Sequence, residues 1–355
     1  MGPRFFSRRQ ALKAGAAAAV VGAMPARVLS AMPEAVSVTP ELIAAATKEG
    51  RLNFYTAMDL PVAEKLAKAF EAKYPGIGVR VERSGSERVF QRIAQEMASN
   101  IRNVDIVNTS DAAHVIVWKR KGWLAPFVPS DVAAHWKPQY KDADGTWATV
   151  RIYLSVIAYN TRLVPPDEAP KSFADLLQPK WIGKLVKGHP GYSGTIMTAT
   201  HQMARDLGWG YFEKLAKQKV MQVQSSVDPP KKIAAGERPV MVDGGDYNVF
   251  THKQRGAPVE VVYASEGSPT ISGPNAIFAG AVNPNAARLF QCWMCSQEGQ
   301  QFLVDTTGQY PAHAQVKAHP DRKQLSDIKL MREDPAEVEA KADEIKTRYT
   351  SIFKV

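Results

Sequence analysis

The sequence lacks the patterns that mark most enzymes and disulfide-stapled proteins. Only two cysteines occur in 355 residues, which excludes a cysteine-rich scaffold. The seven histidines are scattered without metal-ligand spacing, no G-x-S-x-G nucleophile elbow is present, and the carboxylates form no catalytic motif. We therefore expect no enzymatic activity, no cofactor and no dedicated metal site.

Apolar runs long enough to span a bilayer are also missing. The run from Ala14 to Met24 is far shorter than the ~20 residues that a membrane anchor needs. It follows the basic stretch Ser7 to Lys13 and ends at small residues, which is the layout of an export signal. That stretch resembles the twin-arginine pattern S-R-R-x-F-L-K, with Ala11 in place of the phenylalanine. We predict a signal peptide over residues 1–31, cleaved at Ala31 or alternatively at Ala26, and a periplasmic location.

A basic stripe for nucleic acid is missing as well, although the formal net charge is +10. Five of the basic residues lie within residues 1–31, and the others are spread along the chain without interleaved aromatics. We therefore expect no nucleic-acid partner. A mildly cationic body is better suited to an anionic ligand.

The length and composition predict two globular domains. A chain of 355 residues exceeds one ordinary core, and 45% hydrophobic with 23% charged residues is typical of a soluble protein. Cys292 and Cys295 lie in the pattern of an amphipathic helix, where each would pack as a small apolar residue. A disulfide between them is the alternative.

The first half of the chain alternates strand and helix patterns, which predicts a parallel α/β sheet. Ligands of such sheets gather at the carboxyl ends of the strands. Those ends are small and rich in hydroxyl groups here, and they comprise Tyr55, Thr56, Ser84, Gly85, Ser86, Asn108, Thr109 and Ser110.

The second half repeats this organisation. An extended stretch over residues 146–160 could connect two lobes, and residues 273–278 could return. Between them, Ser193, Gly194 and Thr195 begin a predicted helix, where free backbone amides could hold an anion. A simple helix cap is the alternative. A strand over residues 240–242 ends in a further polar segment, which contains Asp243, Asp246 and Tyr247.

The order of these features resembles the extracellular solute-binding proteins of ABC importers. The quoted features are the export signal, Phe54-Tyr55-Thr56, Pro75-Gly76, Ser84-Gly85-Ser86, Asp105-Ile106-Val107, Tyr159-Asn160-Thr161-Arg162, Ser193-Gly194-Thr195, Gly236-Glu237 and Ser296-Gln297-Glu298-Gly299-Gln300. Within that family the chain is most similar to the branch that contains ferric-ion, thiamine, aminoethylphosphonate and sugar-phosphate binders.

The resemblance implies a type II periplasmic-binding-protein fold, with two α/β lobes that have mainly parallel sheets and are joined by two crossover strands. Lobe 1 would comprise residues 38–152 plus 277–327, and lobe 2 residues 153–276 plus 328–355. A small molecule would bind between the lobes, and a permease in the inner membrane would receive it from a monomeric protein. A sensor subunit that presents its ligand to a membrane receptor would use the same lobes and remains an alternative.

Two ligand classes follow from the resemblance. Ferric binders of this branch use an adjacent Tyr-Tyr pair with a His and a Glu, whereas this chain offers Asp246-Tyr247. Asp59, Asp246 and Tyr247 are the residues left for iron, which is the alternative ligand. We instead predict a small organic anion such as a phosphonate, phosphate ester or carboxylate. Arg151 could pair with it bidentately, and Tyr55, Tyr153 or Tyr247 could pack against it.

Overall fold

The computed structural model describes residues 33–355, so the predicted signal peptide over residues 1–31 and its cleavage sites lie outside the described residues. Within the described part, no helix is both long and apolar enough to cross a membrane. The strands are β1 (Ala35–Val36), β2 (Arg51–Thr56), β3 (Gly78–Arg83), β4 (Ile106–Asn108), β5 (Val128–Pro129), β6 (Ala148–Leu154), β7 (Ile157–Asn160), β8 (Leu185–Gly188), β9 (Met221–Val223), β10 (Val240–Met241), β11 (Val259–Val262), β12 (Ser268–Ile277) and β13 (Leu330–Met331). The α-helices are α1 (Pro40–Glu49), α2 (Leu60–Lys73), α3 (Ser86–Ala98), α4 (Ala112–Arg120), α5 (Ser130–His135), α6 (Gly194–Leu207), α7 (Trp209–Ala216), α8 (Asp228–Ala234), α9 (Asp246–Gln254), α10 (Pro284–Cys295), α11 (Gln297–Thr307) and α12 (Pro335–Phe353).

Two large mixed sheets and a small parallel pair of β1 and β5 organise these elements, which confirms the α/β class. The first sheet has the order β13-β12-β4-β2-β3, with β6 paired to β12, and the second has the order β11-β7-β10-β8-β9. Strands β2, β3 and β4 run parallel, as do β8, β9 and β10. Strands β6, β7, β11 and β12 add antiparallel pairs, because the chain passes between the sheets through them.

Local sequence signals explain how the first sheet begins. The Thr39 hydroxyl accepts a hydrogen bond from the amide of Leu42 and caps α1, and Gly50 ends that helix with a φ of 71°. In β2, Leu52 and Phe54 are fully buried in the main hydrophobic core. The apolar and polar residues alternate over residues 51–56, which predicts a strand, and the structure confirms it.

The extended stretch over residues 146–160 forms two strands rather than one. Strand β6 belongs to the first sheet and β7 to the second, and only Ser155 and Val156 lie between them. The amide of Ser155 donates to the carbonyl of Pro269, just inside β12, so both connections meet side by side. Strand β12 begins at Ser268, several residues before the predicted return. The predicted lobe boundaries stay a prediction.

Both cysteines lie in the last turn of α10, and Cys295 is its final residue. Cys292 and Cys295 are buried free thiols, in line with the interpretation of this segment as a helix packed on the core. Burial raises the pKa of Cys292 to about 12, so the thiol is protonated at neutral pH.

Candidate functional site

The predicted strand ends of the first sheet lie next to one another. The amide of Ser84 donates to the carbonyl of Thr56 at 3.2 Å, and the amide of Ala57 donates to that of Asn108 at 3.1 Å. This edge of the sheet faces the start of α6, where the amide of Gly194 donates to the Ser86 hydroxyl at 2.6 Å. The polar ends of β2, β3 and β4 and the amino terminus of α6 therefore form one region.

The start of α6 is closed over in this structure. Ser193 caps the helix by accepting from the amide of Ile196, and the Gly194 amide is taken by Ser86. A Cβ on Gly194 would lie 2.5 Å from the Cβ of Asp111, so only glycine fits there. The amide of Gly194 can therefore reach an anion only if Ser86 moves away. Its use as an anion cradle stays a prediction.

Arg151 is a buried guanidinium without an acidic partner. It is 1% exposed, and no carboxylate of residues 33–355 lies within 4.0 Å of it. Its Nε donates to Oδ1 of Asn108 at 2.8 Å, whereas its Nη2 is buried without any hydrogen-bond partner in the described chain. An arginine stays charged in proteins and its burial is costly unless an anion compensates it. The site therefore has an uncompensated positive charge in its interior.

Asn108 and Gly273 hold this guanidinium in place. Nδ2 of the Asn108 side chain donates to the carbonyls of Gly273 and Pro274 and to Oδ1 of Asn275. These bonds fix the orientation of Oδ1, which faces Arg151. A Cβ on Gly273 would lie 2.6 Å from Cγ of Arg151, so glycine makes room for the side chain. Asn108, predicted as a ligand contact, thus forms its side-chain hydrogen bonds with other groups of the protein.

Two of the predicted tyrosines lie beside Arg151. The guanidinium carbon lies 5.2 Å from the ring centroid of Tyr153, whose hydroxyl is 2.7 Å from Oγ1 of Thr195. The Tyr247 ring meets the Tyr153 ring edge-on, with centroids 5.0 Å apart. Burial raises the pKa of Tyr153, and hydrogen bonds from Thr195 and Ser110 oppose this rise. Tyr153, Tyr247, Thr195 and Ser110 are therefore brought together around Arg151.

Tyr55 is placed elsewhere. Its hydroxyl donates to Oε1 of Glu96 at 2.9 Å, and the Arg92 guanidinium covers its ring at 4.7 Å. It packs among the apolar residues of α3 rather than beside Arg151, because alternate residues of β2 point to opposite faces of the sheet.

The remaining first-sheet residues make local hydrogen bonds. Oγ1 of Thr56 accepts from the amide of Met58, and Oγ1 of Thr109 lies 2.9 Å from Nδ1 of His114. Gly85 provides a close approach, since a Cβ there would lie 2.8 Å from the carbonyl oxygen of Tyr192.

The two aspartates predicted after β10 have structural partners. Asp243 and Lys187 form an ion pair of 2.6 Å in which both side chains are fully buried. Asp246 accepts from the amides of Leu154 and Tyr247 through Oδ1 and pairs with Arg322 through Oδ2. Asp246 therefore fastens the start of α9 to the end of β6, and neither carboxylate is left for a solute.

The sequence interpretation missed Arg83, the last residue of β3. Burial raises the pKa of Tyr247, while the positive charges of Arg151 and Arg83 lower it and Asp59 raises it further. Nε of Arg83 donates to the carbonyl of Met58. The strand-end rule that selected Ser84 applies equally to Arg83 and could have found it.

Two clusters in the described residues have metal-ligand geometry, and neither contains a residue of the predicted iron set. They are Asp131, His135 and His313, and Glu87, Asp111 and His114. In the first, Nδ1 of His313 accepts from the amide of Gln315, so Nε2 carries the proton toward Asp131 and has no free lone pair for a metal. In the second, Nζ of Lys346 already lies 2.8 Å from Glu87.

Comparison with known proteins decides the family. The model of the bacterial extracellular solute-binding proteins matches residues 65–330, about three quarters of the chain. The chain belongs to this family. The solute-binding class predicted from the sequence is thus confirmed.

Solved structures establish the two-lobed type II fold of this solute-binding protein. The periplasmic binding protein AfuA of Actinobacillus pleuropneumoniae, with fructose-6-phosphate bound, shares 24% identity over 86% of this chain and 99% of its own, with a TM-score of 0.79. Iron-bound HitA of Pseudomonas aeruginosa shares 23% identity over 85% of this chain and 99% of its own, with a TM-score of 0.73. The predicted fold class is thus confirmed.

A curated relative covers most of the chain as well. The Fe(3+)-binding periplasmic protein of Serratia marcescens is 23% identical over 337 residues, which are 90% of this chain and 96% of the relative. The relatives thus lie in the branch predicted from the sequence.

Proposed function

We propose that this chain is the periplasmic solute-binding component of an ABC importer and that it captures a small organic anion beside Arg151. The observation that carries the proposal is the buried guanidinium with no carboxylate partner and an unpaired Nη2. A carboxylate, phosphate ester or phosphonate would supply both the missing charge and the missing hydrogen-bond acceptor.

The surroundings of Arg151 support an organic ligand rather than a bare inorganic ion. Tyr153 places its ring next to the guanidinium, Tyr247 packs at a steep angle against Tyr153, and the positive charge of Arg83 acts on Tyr247. Hydroxyl groups of Ser110 and Thr195 lie at the Tyr153 hydroxyl. Positive charge, aromatic surface and hydroxyl groups together suit a compact anion with a polar body.

Closure over the ligand would use contacts that already join α3, beside the first sheet, to α6 and to the segment after β9, beside the second sheet. The Gly194 amide meets Ser86, and Arg88 donates to Gln224 at 2.5 Å. An anion that enters beside Arg151 would gain contacts from β6 and α6 at once, and only such shared contacts favour the closed form.

Ferric iron is the second candidate, because one relative and several structural neighbours carry names of iron-binding or iron-bound proteins. Asp246 is bound by two amides and Arg322, and Asp59 lies 4.0 Å from Nζ of Lys231, so Tyr247 is the one member of the predicted iron set without a charged partner among the described residues. A hard trivalent cation requires several anionic oxygen ligands, and the neighbouring charges of Arg151 and Arg83 oppose it. The organic anion therefore fits the local charge better.

A thermal-shift screen with phosphonates, sugar phosphates, dicarboxylates, thiamine and ferric citrate tests the proposal. A ligand at about 100 times its Kd should stabilise the fold by about 2.7 kcal/mol. Arg151→Met should abolish the response to the anion, and the unliganded variant should be no less stable, because the variant removes a buried charge without a partner.

Arg80→Met is the matched control, since the Arg80 side chain is 74% exposed. It should respond as the unmodified protein does. Equal anion responses of the Arg151 and Arg80 variants, or a response to ferric citrate alone, would contradict the proposal.

A further inference from the structure

A separate cavity of about 520 Å³ lies beside the crossover strands, and Arg151 does not line it. Its walls come from the segment before β6, from β6 and β12, and from the chain around β13. The lining residues are Ala112, Gln139, Tyr140, Trp147, Thr149, Thr270, Ser272, Leu330, Met331, Arg332, Glu333 and Pro335. The volume is in the range of small-molecule sites.

The acidic group of this cavity has no cationic partner. Glu333 accepts a hydrogen bond from the amide of Ser272 at 3.2 Å, and no Lys, Arg or His nitrogen of residues 33–355 lies within 4.0 Å of its carboxylate. The adjacent Arg332 pairs with Asp334 instead. Burial raises the pKa of Glu333 to about 7, and the charge of Asp111 adds to this rise. A bound cation would relieve both effects.

A second orphan group lines the same cavity. Thr149 is 1% exposed, and its Oγ1 has no hydrogen-bond partner in the described residues. A buried hydroxyl without a partner is costly, and a donor on a ligand would satisfy it. Glu333 is thus the acceptor that lines the cavity, and Oγ1 of Thr149 is an acceptor buried in its wall, which a donor reaches only if the wall shifts.

The remaining walls suit the positive charge of such a guest. Tyr140 and Trp147 are half-buried aromatic residues, and Tyr140 lies close enough to Glu333 that, after burial, the carboxylate raises its pKa. Aromatic faces attract cations through their quadrupoles. An acid, a hydroxyl acceptor and two aromatic rings form a set of groups that recognises an ammonium ion.

We propose that this cavity is a second binding site, independent of the anion site at Arg151, for a small organic cation with a primary ammonium group. The ammonium donates to Glu333, with Oγ1 of Thr149 as a further acceptor once the cavity wall shifts, and its alkyl part packs against Tyr140 and Trp147. A quaternary ammonium cannot donate to either acceptor and is therefore the poorer ligand.

Calorimetric titration of the purified protein with n-propylammonium chloride tests the site. The comparison compounds are 1-propanol, which is a neutral isostere, and tetramethylammonium chloride, which is a cation without hydrogen-bond donors. We expect saturable binding of one n-propylammonium per chain and weaker binding of both comparison compounds. Binding should be tighter at about pH 8 than at about pH 6, because Glu333 loses its proton over this range.

Variants separate the two sites. Glu333→Gln should weaken n-propylammonium about 10- to 100-fold, as expected for loss of a charge-assisted hydrogen bond, and Thr149→Val should weaken it less. Arg151→Met should bind it as the unmodified protein does. Absence of saturable binding, equal affinity in Glu333→Gln, equal affinity for 1-propanol, or loss of binding in Arg151→Met would each overturn the proposal.

Discussion

The amide of Gly194 donates a 2.6 Å hydrogen bond to the hydroxyl of Ser86, and this contact joins the first turn of α6 to the first turn of α3. Two helix amino termini, each with unpaired amides and partial positive charge, are thereby held against one another. The carboxylates of Glu87 and Asp111 lie at the same junction and offset that charge.

Gly194→Ala should therefore disrupt the junction. The new Cβ would lie 2.5 Å from Asp111 and 2.6 Å from the Ser86 hydroxyl, and overpacking of this kind costs about 1–3 kcal/mol. Urea unfolding measures the loss, and solution scattering should show a more open particle. Gly210→Ala is the control, because a Cβ at Gly210 meets nothing within 4 Å in α7; it should leave both measurements unchanged or raise stability slightly.

Stability should also depend on the protonation of His114. Its Nε2 lies 2.8 Å from Glu87 and 3.9 Å from Asp111, its Nδ1 faces the Thr109 hydroxyl, and Lys346 of α12 approaches Glu87 from the other side. Burial alone would lower the pKa of His114, but Asp111 and Glu87 outweigh it, so the pKa is raised. The pKa of Glu87 falls to about 2, because His114 and Lys346 outweigh its burial.

The sign of the effect follows from these directions. A histidine with a raised pKa stabilises the fold fully below its unfolded value of about 6.5, and the contribution is lost as pH rises through the folded value. His114→Gln should cost about 3–5 kcal/mol at about pH 5.5 and less at alkaline pH, measured by urea unfolding. A cost that does not change with pH would contradict the charged state of His114.

Lys187→Met should be strongly destabilising, because it leaves the Asp243 carboxylate buried without its partner. Breaking such a pair from one side costs about 3–5 kcal/mol, and replacing both members by apolar groups recovers much of it. The double variant Lys187→Met with Asp243→Leu should accordingly be more stable than the single variant in urea. If the double variant is no more stable than the single variant, the loss of stability does not come from the unpaired charge of Asp243, and the prediction is wrong.

Titration with ferric citrate should produce no visible charge-transfer band. Burial raises the pKa of Tyr247, which disfavours the phenolate that iron needs, and Asp246 is committed to Leu154 and Arg322. A visible band that disappears in Tyr247→Phe would support iron as the cargo, and Tyr159→Phe serves as the control for a tyrosine of the second sheet.

Much of the fold could be predicted from the sequence because it depends on local patterns. Sequence patterns located β2 and the start of α6, and Gly50 marked the end of α1. The start of β12 was less predictable, because residues 268–270 are Ser, Pro and Thr and become a strand by pairing with the distant strands β13 and β6.

The sequence could predict where the site residues lie, but not which groups their side chains contact. Strand-end reasoning led to Ser86 and Ser110, and the interpretation of residues 146–160 as a connection between lobes led to Arg151. It could not separate Tyr153, which faces Arg151, from Tyr55, which faces α3. Nor could it show that Asp243 and Asp246 are neutralised by Lys187 and Arg322, since those cations are distant in sequence.

The two-residue link between β6 and β7 has a consequence for experiments on opening. Ser155 and Val156 are 0% and 1% exposed, and their amides donate to Pro269 and Gly244. A connection of two residues is too short to let the two sheets separate, so it permits rotation of one sheet relative to the other about this point. The rate of hydrogen–deuterium exchange at these two amides would therefore report how often the link opens. That rate should fall when the ligand is bound.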